Sequence, residues 1–465
     1  MKQSNYLIKI KQMVFLGLIL TMLVHCTEKD DGTNVRPNEF GEEGGTVLTF
    51  TYLSNADTVF FSWELVNQEI DFDHFQVSRV NSENSVEVSK NENSCFLTHI
   101  PYNELVPISI ALMNNTEPVE TINTSIEIDG LDTVFVSTFM PDRGSVTGGD
   151  GMYSIALPDG RSIFLMGDSY IGPVTNGARS MSDHMFRNTY ILYDDGQVSA
   201  VYGAEGENSS AAVPPGVSDE HQKWYWPGHG FVQGDKLYIF QTLMYQGETG
   251  MWGFRYETTD ILEYDLPTIA LNKTTRIPFE GSRDIHYGMA ALNDEDYIYI
   301  YAQKDVDNGW DPISDALVAR TTINDLYAKW EYFDGSDWSS ASDNAVKMQG
   351  LSSVPISSQF NVFKLNDKYV LFSQSKQFNS GEIYTFISDS PQGPWRNKQL
   401  VYKIPESDNP GLFTYNAMAH PQFRKDGMIL ISYNINNEDF VDQHNDVSSY
   451  RPRFLWIEIA DILED

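Results

Sequence analysis

Residues 148–170 read GGDGMYSIALPDGRSIFLMGDSY. Two runs rich in Ile, Leu, Met, Phe and Tyr flank Pro158-Asp159-Gly160, residue types that turn a chain back on itself. The pattern predicts an antiparallel hairpin. In a hairpin the start of the first strand and the end of the second meet at one edge, so Asp150 and Asp168 return to the same end. Four later segments share the pattern: GFVQGDKLYIFQTL, MAALNDEDYIYIYAQK, FNVFKLNDKYVLFSQS and PQFRKDGMILISYNIN. The five turns centre on Asp159, Asp235, Asp294, Asp367 and Asp426, roughly 60–75 residues apart, and long helical periodicity is absent. Five such units in series predict a five-bladed β-propeller over residues 136–465, a closed arrangement that leaves only short sheet edges. A set of unrelated hairpins in a β-sandwich accounts less well for serial repetition.

Upstream, residues 45–135 carry short alternating runs, among them TVFFSWEL, FDHFQVSRV and PISIALMN, which predict a β-sandwich. Phe61-Ser62-Trp63-Glu64 followed by Phe75-Gln76-Val77 resembles a fibronectin type III domain, with Trp63 in the core. The fold class expected for the chain is therefore all-β. Before it, Lys2, Lys9 and Lys11 precede an apolar run over 13–24 that is short for a membrane span and reads as an export signal, residues 1–25. Leu23-Val24-His25-Cys26 resembles a lipobox, which makes Cys26 the expected lipidation site. Thr27-Glu28-Lys29-Asp30-Asp31 resembles the surface-export signal of Bacteroidetes lipoproteins. Residues 26–44 then read as an acidic flexible tether. The expectation is an outer-membrane lipoprotein exposed at the cell surface, touching the membrane only through its lipid anchor.

A net charge of −34 opposes nucleic acid and polyanionic partners. Past Cys26 only Cys95 remains, so no internal disulfide can staple the fold, and about 440 residues suffice for more than one core. Aromatic residues make up 13% of the chain, enough for both cores and flat binding platforms.

Carrying the hairpin offsets to the other repeats gathers polar and aromatic residues at strand ends. Strand starts give Trp226 and His229, His286 and Tyr287, Ser358 and Gln359, and Tyr415, Asn416 and His420. Strand ends give Gln241, Gln303, Gln374 and Asn434. Polar strand ends are common because they approach water. The choice of neutral amides, with no Lys or Glu among them, instead suits a hydroxyl-rich ligand, a polysaccharide or oligosaccharide. Asp150 sits among Gly148, Gly149 and Gly151, which allow close backbone approach. Two neighbouring carboxylates push their pKa values apart, as glycoside hydrolysis requires of its acid and its base or nucleophile. Asp150 is the candidate base or nucleophile. Asp168 is the second carboxylate, acid or pKa modulator, although capping a turn through Ser169 is an alternative role.

The same stretch resembles the first blade of bacterial five-bladed propellers related to the endo-D-arabinanases of glycoside hydrolase family 183. It is more distantly similar to the arabinanase, xylosidase and fructosidase propeller clan. SDSPQGPW (388–395), WYWPGHGFV (224–232) and YNAMAHPQF (415–423) also resemble this group, so the similarity covers about 136–465. It implies a glycosidase acting on furanosides, with Asp150 at an essential catalytic aspartate. Family-43-type enzymes add a glutamate acid from the third blade. No such Glu is evident here, and Asp284 in SRDIHYG is the nearest carboxylate. That departure keeps a non-catalytic glycan-binding protein, and more remotely an adhesive surface protein, as alternatives.

Arg187 and Asn188, in RSMSDHMFRNTYILY, precede an apolar strand and are placed either at the channel or in a surface loop. His229, His286 and His420 lack close ligand spacing, so no metal site and no cofactor are expected, though a channel calcium is compatible with a propeller axis. Neither a phosphate loop nor a serine elbow is present.

Overall fold

The computed structural model describes residues 48–465 apart from 66–68, 103, 207, 251–252, 307–312, 377–379, 410 and 464–465. The expected export signal, Cys26 and the whole of the 26–44 tether lie outside the described residues. The chain divides into two compact units. One comprises the described residues up to Ile100 together with Leu105–Ile126; the other comprises Pro101–Glu104 together with Glu127–Asp465.

The first unit holds β1 (Leu48–Asn55), β2 (Thr58–Leu65), β3 (His74–Arg79), β4 (Ser85–Ser89), β5 (Ser94–Leu97), β6 (Val106–Asn114) and β7 (Glu117–Ile126). They form two antiparallel sheets, ordered β1-β2-β5 and β4-β3-β6-β7. Alternation along β2 and β3 turns Trp63 and Phe75 inward, where their rings meet at 5.0 Å between the sheets. Cys95 is buried in β5, which pushes its thiol pKa up and leaves it a small apolar filler.

The second unit contains five antiparallel sheets in chain order. The first has β8 (Gly148–Ala156), β9 (Ser162–Tyr170), β10 (Met185–Phe186), β11 (Thr189–Asp194) and β12 (Gln197–Val201). The second has β13 (Lys223–Gln233), β14 (Lys236–Gln246), β15 (Phe254–Asp265) and β16 (Ala270–Arg276). The third has β17 (Ile285–Asp294), β18 (Tyr297–Val306), β19 (Ile313–Thr321), β20 (Glu331–Phe333) and β21 (Trp338–Ser339). The fourth has β22 (Asn361–Leu365), β23 (Lys368–Gln374), β24 (Glu382–Ser388) and β25 (Arg396–Lys403). The fifth has β26 (Leu412–Lys425), β27 (Met428–Asn437) and β28 (Arg453–Glu458). Their first strands touch in succession, β8 to β13 to β17 to β22 to β26, and β26 returns to β8. The unit is thus all-β and propeller-like.

Local chemistry explains the hairpins. In the last four, the register leaves two residues in each turn: Gly234-Asp235, Glu295-Asp296, Asn366-Asp367 and Asp426-Gly427. Asp426 and Gly427 both take positive φ, 48° and 85°, as a primed hairpin turn demands. Apolar layers fill the space between successive sheets, for example Tyr287, Ile300 and Trp330 with Phe240 between the second and third.

The ring closes through residues far apart in sequence. Leu131 bridges to Leu455 beside the outer strand of the last sheet, and Asp132 N–H donates to Phe454 O at 2.7 Å. Asp132 also caps α1 (Thr133–Phe139), accepting from Phe135 N–H at 2.9 Å. Phe139 at the end of α1 is fully buried, its ring 4.6 Å from Phe164 of β9 and 5.1 Å from Phe454 of β28. It therefore joins first sheet to last. Phe139→Ala is expected to lower unfolding free energy by about 3–5 kcal/mol. Chemical denaturation measures this, and a loss under ~1 kcal/mol would contradict the seam's role.

Candidate active site

Asp150 and Asp168 stand at one end of the β8–β9 hairpin, next to the Gly149–Ser169 pair. The register shifts between Gly149 and Gly151 and again between Gly151 and Tyr153. Gly151, at φ 101°, takes a conformation that a side chain would strain, and an added Cβ would come within 2.8 Å of Gly167 N. Opposite, the missing side chain of Gly167 leaves room for Asp150 Oδ1, which an added Cβ would strike.

Both carboxylates line a cavity of about 580 Å³. Tyr415 of β26 donates to Asp150 Oδ2 at 2.8 Å. Tyr450 O–H lies 2.7 Å from Asp168 O and 3.3 Å from Asp150 Oδ2. Asp168 has different partners: Trp226 Nε1 donates to it at 3.0 Å and Arg187 Nη1 lies 3.3 Å away. The Arg187 guanidinium also stacks 4.2 Å over the Trp224 ring. Burial first, then the charge of Asp168, pushes the Asp150 pKa from an ordinary 3.8 up to about 7. Burial raises Asp168 as well, but Arg187 and the Trp226 N–H oppose that rise. Two like groups thus have unlike environments, with the proton drawn to Asp150 and the charge to Asp168.

Of the other residues singled out from the sequence, Arg187, Trp226, Gln374, Tyr415 and Asn416 line this cavity. The rest do not. Asp284 is exposed outside it and accepts from Ser282 Oγ at 3.1 Å, so the candidate third-sheet carboxylate is not assembled with the pair. Asn188 is buried and donates to Ala212 O and Tyr225 O, tying the loop at Ala212 to β13. His229 lies 3.4 Å from Ser154 O and accepts from Ala291 N–H at 3.0 Å, and burial lowers its pKa to about 4. His420 is held between Ser154 Oγ and Ser432 Oγ, with burial lowering its pKa to about 3. His286 stacks on Tyr256 and meets Gln303 Nε2 at 2.9 Å. Tyr287 is wholly buried in the apolar layer described above. Gln359 N–H donates to Ser357 Oγ, and its side-chain Oε1 is buried. Asn434 Nδ2 donates to Asn416 O at 3.3 Å. Most of the amides clamp neighbouring strands rather than facing open space.

The physical reason is local. Register shifts between Pro227 and Gly230, Tyr287 and Ala290, and Tyr415 and Met418 re-aim side chains near the ends of the first strands. Sequence offsets did not point to Tyr450, Lys376, Phe254, Phe413 or Phe440, which also line the cavity. Tyr450 comes from an excursion between β27 and β28 that includes α2 (Phe440–Asn445). The only available signal was the interruption of the fifth repeat. Among the described residues, no group of three or more His, Cys, Asp or Glu is placed to hold a metal ion.

A buried acid–carboxylate pair with aromatic walls can protonate one atom of a bound ligand and stabilise or attack another. The chain belongs to the family described as a domain of unknown function, DUF5005, whose model matches residues 132–459. A Bacteroides ovatus ATCC 8483 crystal structure, provisionally assigned as a hydrolase, shares the fold with TM-score 0.57 and 21% identity. That match covers 70% of this chain and 89% of the other. Levansucrase of Bacillus subtilis (strain 168) is 34% identical over 107 residues, 20% of this chain and 22% of that protein. An inactive levansucrase of Geobacillus stearothermophilus is 33% identical over a stretch of the same length, again 20% and 22%. The chain thus spans about a fifth of the length of the curated relatives it matches. None of these three is named as an arabinanase.

The raised Asp150 pKa has a thermodynamic consequence. Between pH ~4 and ~7 the folded protein retains a proton that the unfolded chain releases, so this group makes stability fall as pH rises through that window. Asp150→Asn removes the titration. Its thermal stability relative to wild type is expected to improve progressively from pH ~4 to ~7 and then level off. A difference that is flat or reversed in melts across that range would contradict the assignment.

Proposed function

We propose that this protein is a glycoside hydrolase acting on a furanose-containing, arabinan-like polysaccharide. In this reading the five sheets are the blades of a five-bladed propeller, with a fibronectin type III-like unit and a Cys26 lipid anchor holding it at the outer cell surface. The observation that carries the reading is the unlike pair, Asp150 and Asp168, in one cavity. The local levansucrase similarity supports a saccharide as ligand, as does the aromatic and amide lining from Trp226, Phe254, Asn416 and Gln374.

The geometry suggests roles. Asp150 Oδ2 accepts from Tyr415 and Tyr450, which leaves Oδ1 for the proton, in the space beside Gly167. Asp150 would give that proton to the leaving glycosidic oxygen. Asp168, kept charged by Arg187 and Trp226, would act on the anomeric side as nucleophile or base. These environments favour Asp150 as the acid, in place of the base or nucleophile expected from the sequence.

One observation favours a binding-only alternative. Asp150 and Asp168 are the sole carboxylates among the described residues lining the cavity, so the glutamate acid of family-43-type enzymes has no counterpart there.

Incubation with a panel of furanose and pyranose polysaccharides, with products followed by chromatography, separates the two. Wild type is expected to release sugar. Asp150→Asn and Asp168→Asn should each lose about 100- to 10,000-fold in kcat while retaining polymer in a pull-down. Retention by all three proteins with no release by any would establish the binding module instead. In the wild-type pH–rate profile, activity should fall as pH rises through about 7, because the acid must be protonated. Gly167→Ala, crowding Oδ1, should reduce kcat more than it raises KM; an unchanged kcat would remove Oδ1 from the mechanism.

A further inference from the structure

A second hollow, of about 380 Å³, adjoins the cavity. The two share Met185 and Arg187 as a common wall. Each falls within the ~300–1,000 Å³ that holds a small ligand, so the pair exceeds the needs of one sugar ring. Arg187 is fixed in this wall from several sides. Its backbone N–H donates to Ser210 Oγ at 3.0 Å, its Nε to Glu220 O at 3.4 Å, and its guanidinium reaches Asp168 and the Trp224 face.

The lining beyond Arg187 has a definite sign. Glu205, Asp219 and Glu220 contribute carboxylates, and Ser218 a hydroxyl. Arg187 is the sole Lys or Arg among the described lining residues, which also include His184 and His221, and its charge is already committed to Asp168, so the three carboxylates outnumber the free cationic groups at neutral pH. The hollow therefore offers acceptors to hydrogen-bond donors and repels anions. Glu220 is held in place, its Oε1 accepting from Ser210 N–H at 3.1 Å.

We infer that this hollow is a second saccharide subsite, taking an uncharged, hydroxyl-rich sugar unit linked to the one beside Asp150 and Asp168, and rejecting a uronate. The inference rests on the saccharide reading of the main cavity. It makes the preferred ligand a chain of at least two linked units. Arg187 then has two faces: one sets the charge of Asp168, the other bounds the neighbouring sugar.

The test uses the full chain as wild type, Val217→Trp, which fills the hollow that Val217 lines, and Glu205→Lys, which reverses one charge at its rim. The probes are 4-nitrophenyl arabinofuranoside and fructofuranoside, ladders of arabino- and fructo-oligosaccharides, and a ladder ending in a uronate. KM is measured by turnover and Kd by calorimetry, with melts to confirm folding. In wild type, KM and Kd should drop about tenfold from the one-sugar probes to the oligosaccharides, a gain of ~1.4 kcal/mol. Val217→Trp should abolish that drop while leaving the one-sugar constants unchanged, and Glu205→Lys should improve binding of the uronate-ended ladder. A length dependence that Val217→Trp leaves intact, or none in wild type, overturns the subsite. Binding with the expected length dependence but without turnover sinks the hydrolase reading alone. A wild type that neither binds nor cleaves any probe overturns both.

Discussion

The site depends on a contact across the seam between the first and last sheets. Tyr415 and Tyr450 reach Asp150 and Asp168 over sequence separations of 265 and 282 residues. No local propensity could bring them together. The closed ring of first strands does so, and the ring in turn relies on Leu131, Asp132 and Phe139 joining the beginning of the unit to β28. Stability and site geometry therefore share one set of contacts.

Burying two carboxylates side by side is costly unless one becomes neutral or both find partners. The protein divides these solutions between the pair. Asp168 receives a cation and an indole N–H; Asp150 receives tyrosine hydroxyls, which satisfy Oδ2 without supplying charge. The result is a strained arrangement in the energetic sense, since Asp150 opposes folding at neutral pH. Such placement is expected where function, rather than stability, selects the residue.

The hairpins were legible in the sequence because two independent signals agree there. Short continuous apolar runs set the strands, and Asp or Gly at positions such as Asp426-Gly427 provides the positive φ that the turns need. The return of Asp150 and Asp168 to one end follows from that alone. Orientation at the strand ends was not legible. Register shifts near Trp226, Tyr287 and Tyr415 change which side chains face the cavity. Hence His229 and His420 serve as interior hydrogen-bond links, and Gln303 supports His286, although all three share the polarity of a lining residue. Tyr450 was invisible for another reason: it belongs to an excursion outside the repeat, where spacing carries no information. Asp284 lies close in sequence to the third sheet's first strand, yet it stays at the surface.

The central claim is that Asp150 holds a proton near neutrality because it is buried beside an ionised Asp168. Carbon-13 NMR titration of the aspartate carboxyl carbons tests it most directly, in wild type and in Asp168→Asn. The account predicts an Asp150 midpoint near 7 in wild type. Removing the Asp168 charge should lower that midpoint, while burial keeps it above the ordinary carboxylate value. A wild-type midpoint near the ordinary 3.8, or one that Asp168→Asn leaves unmoved, would contradict it.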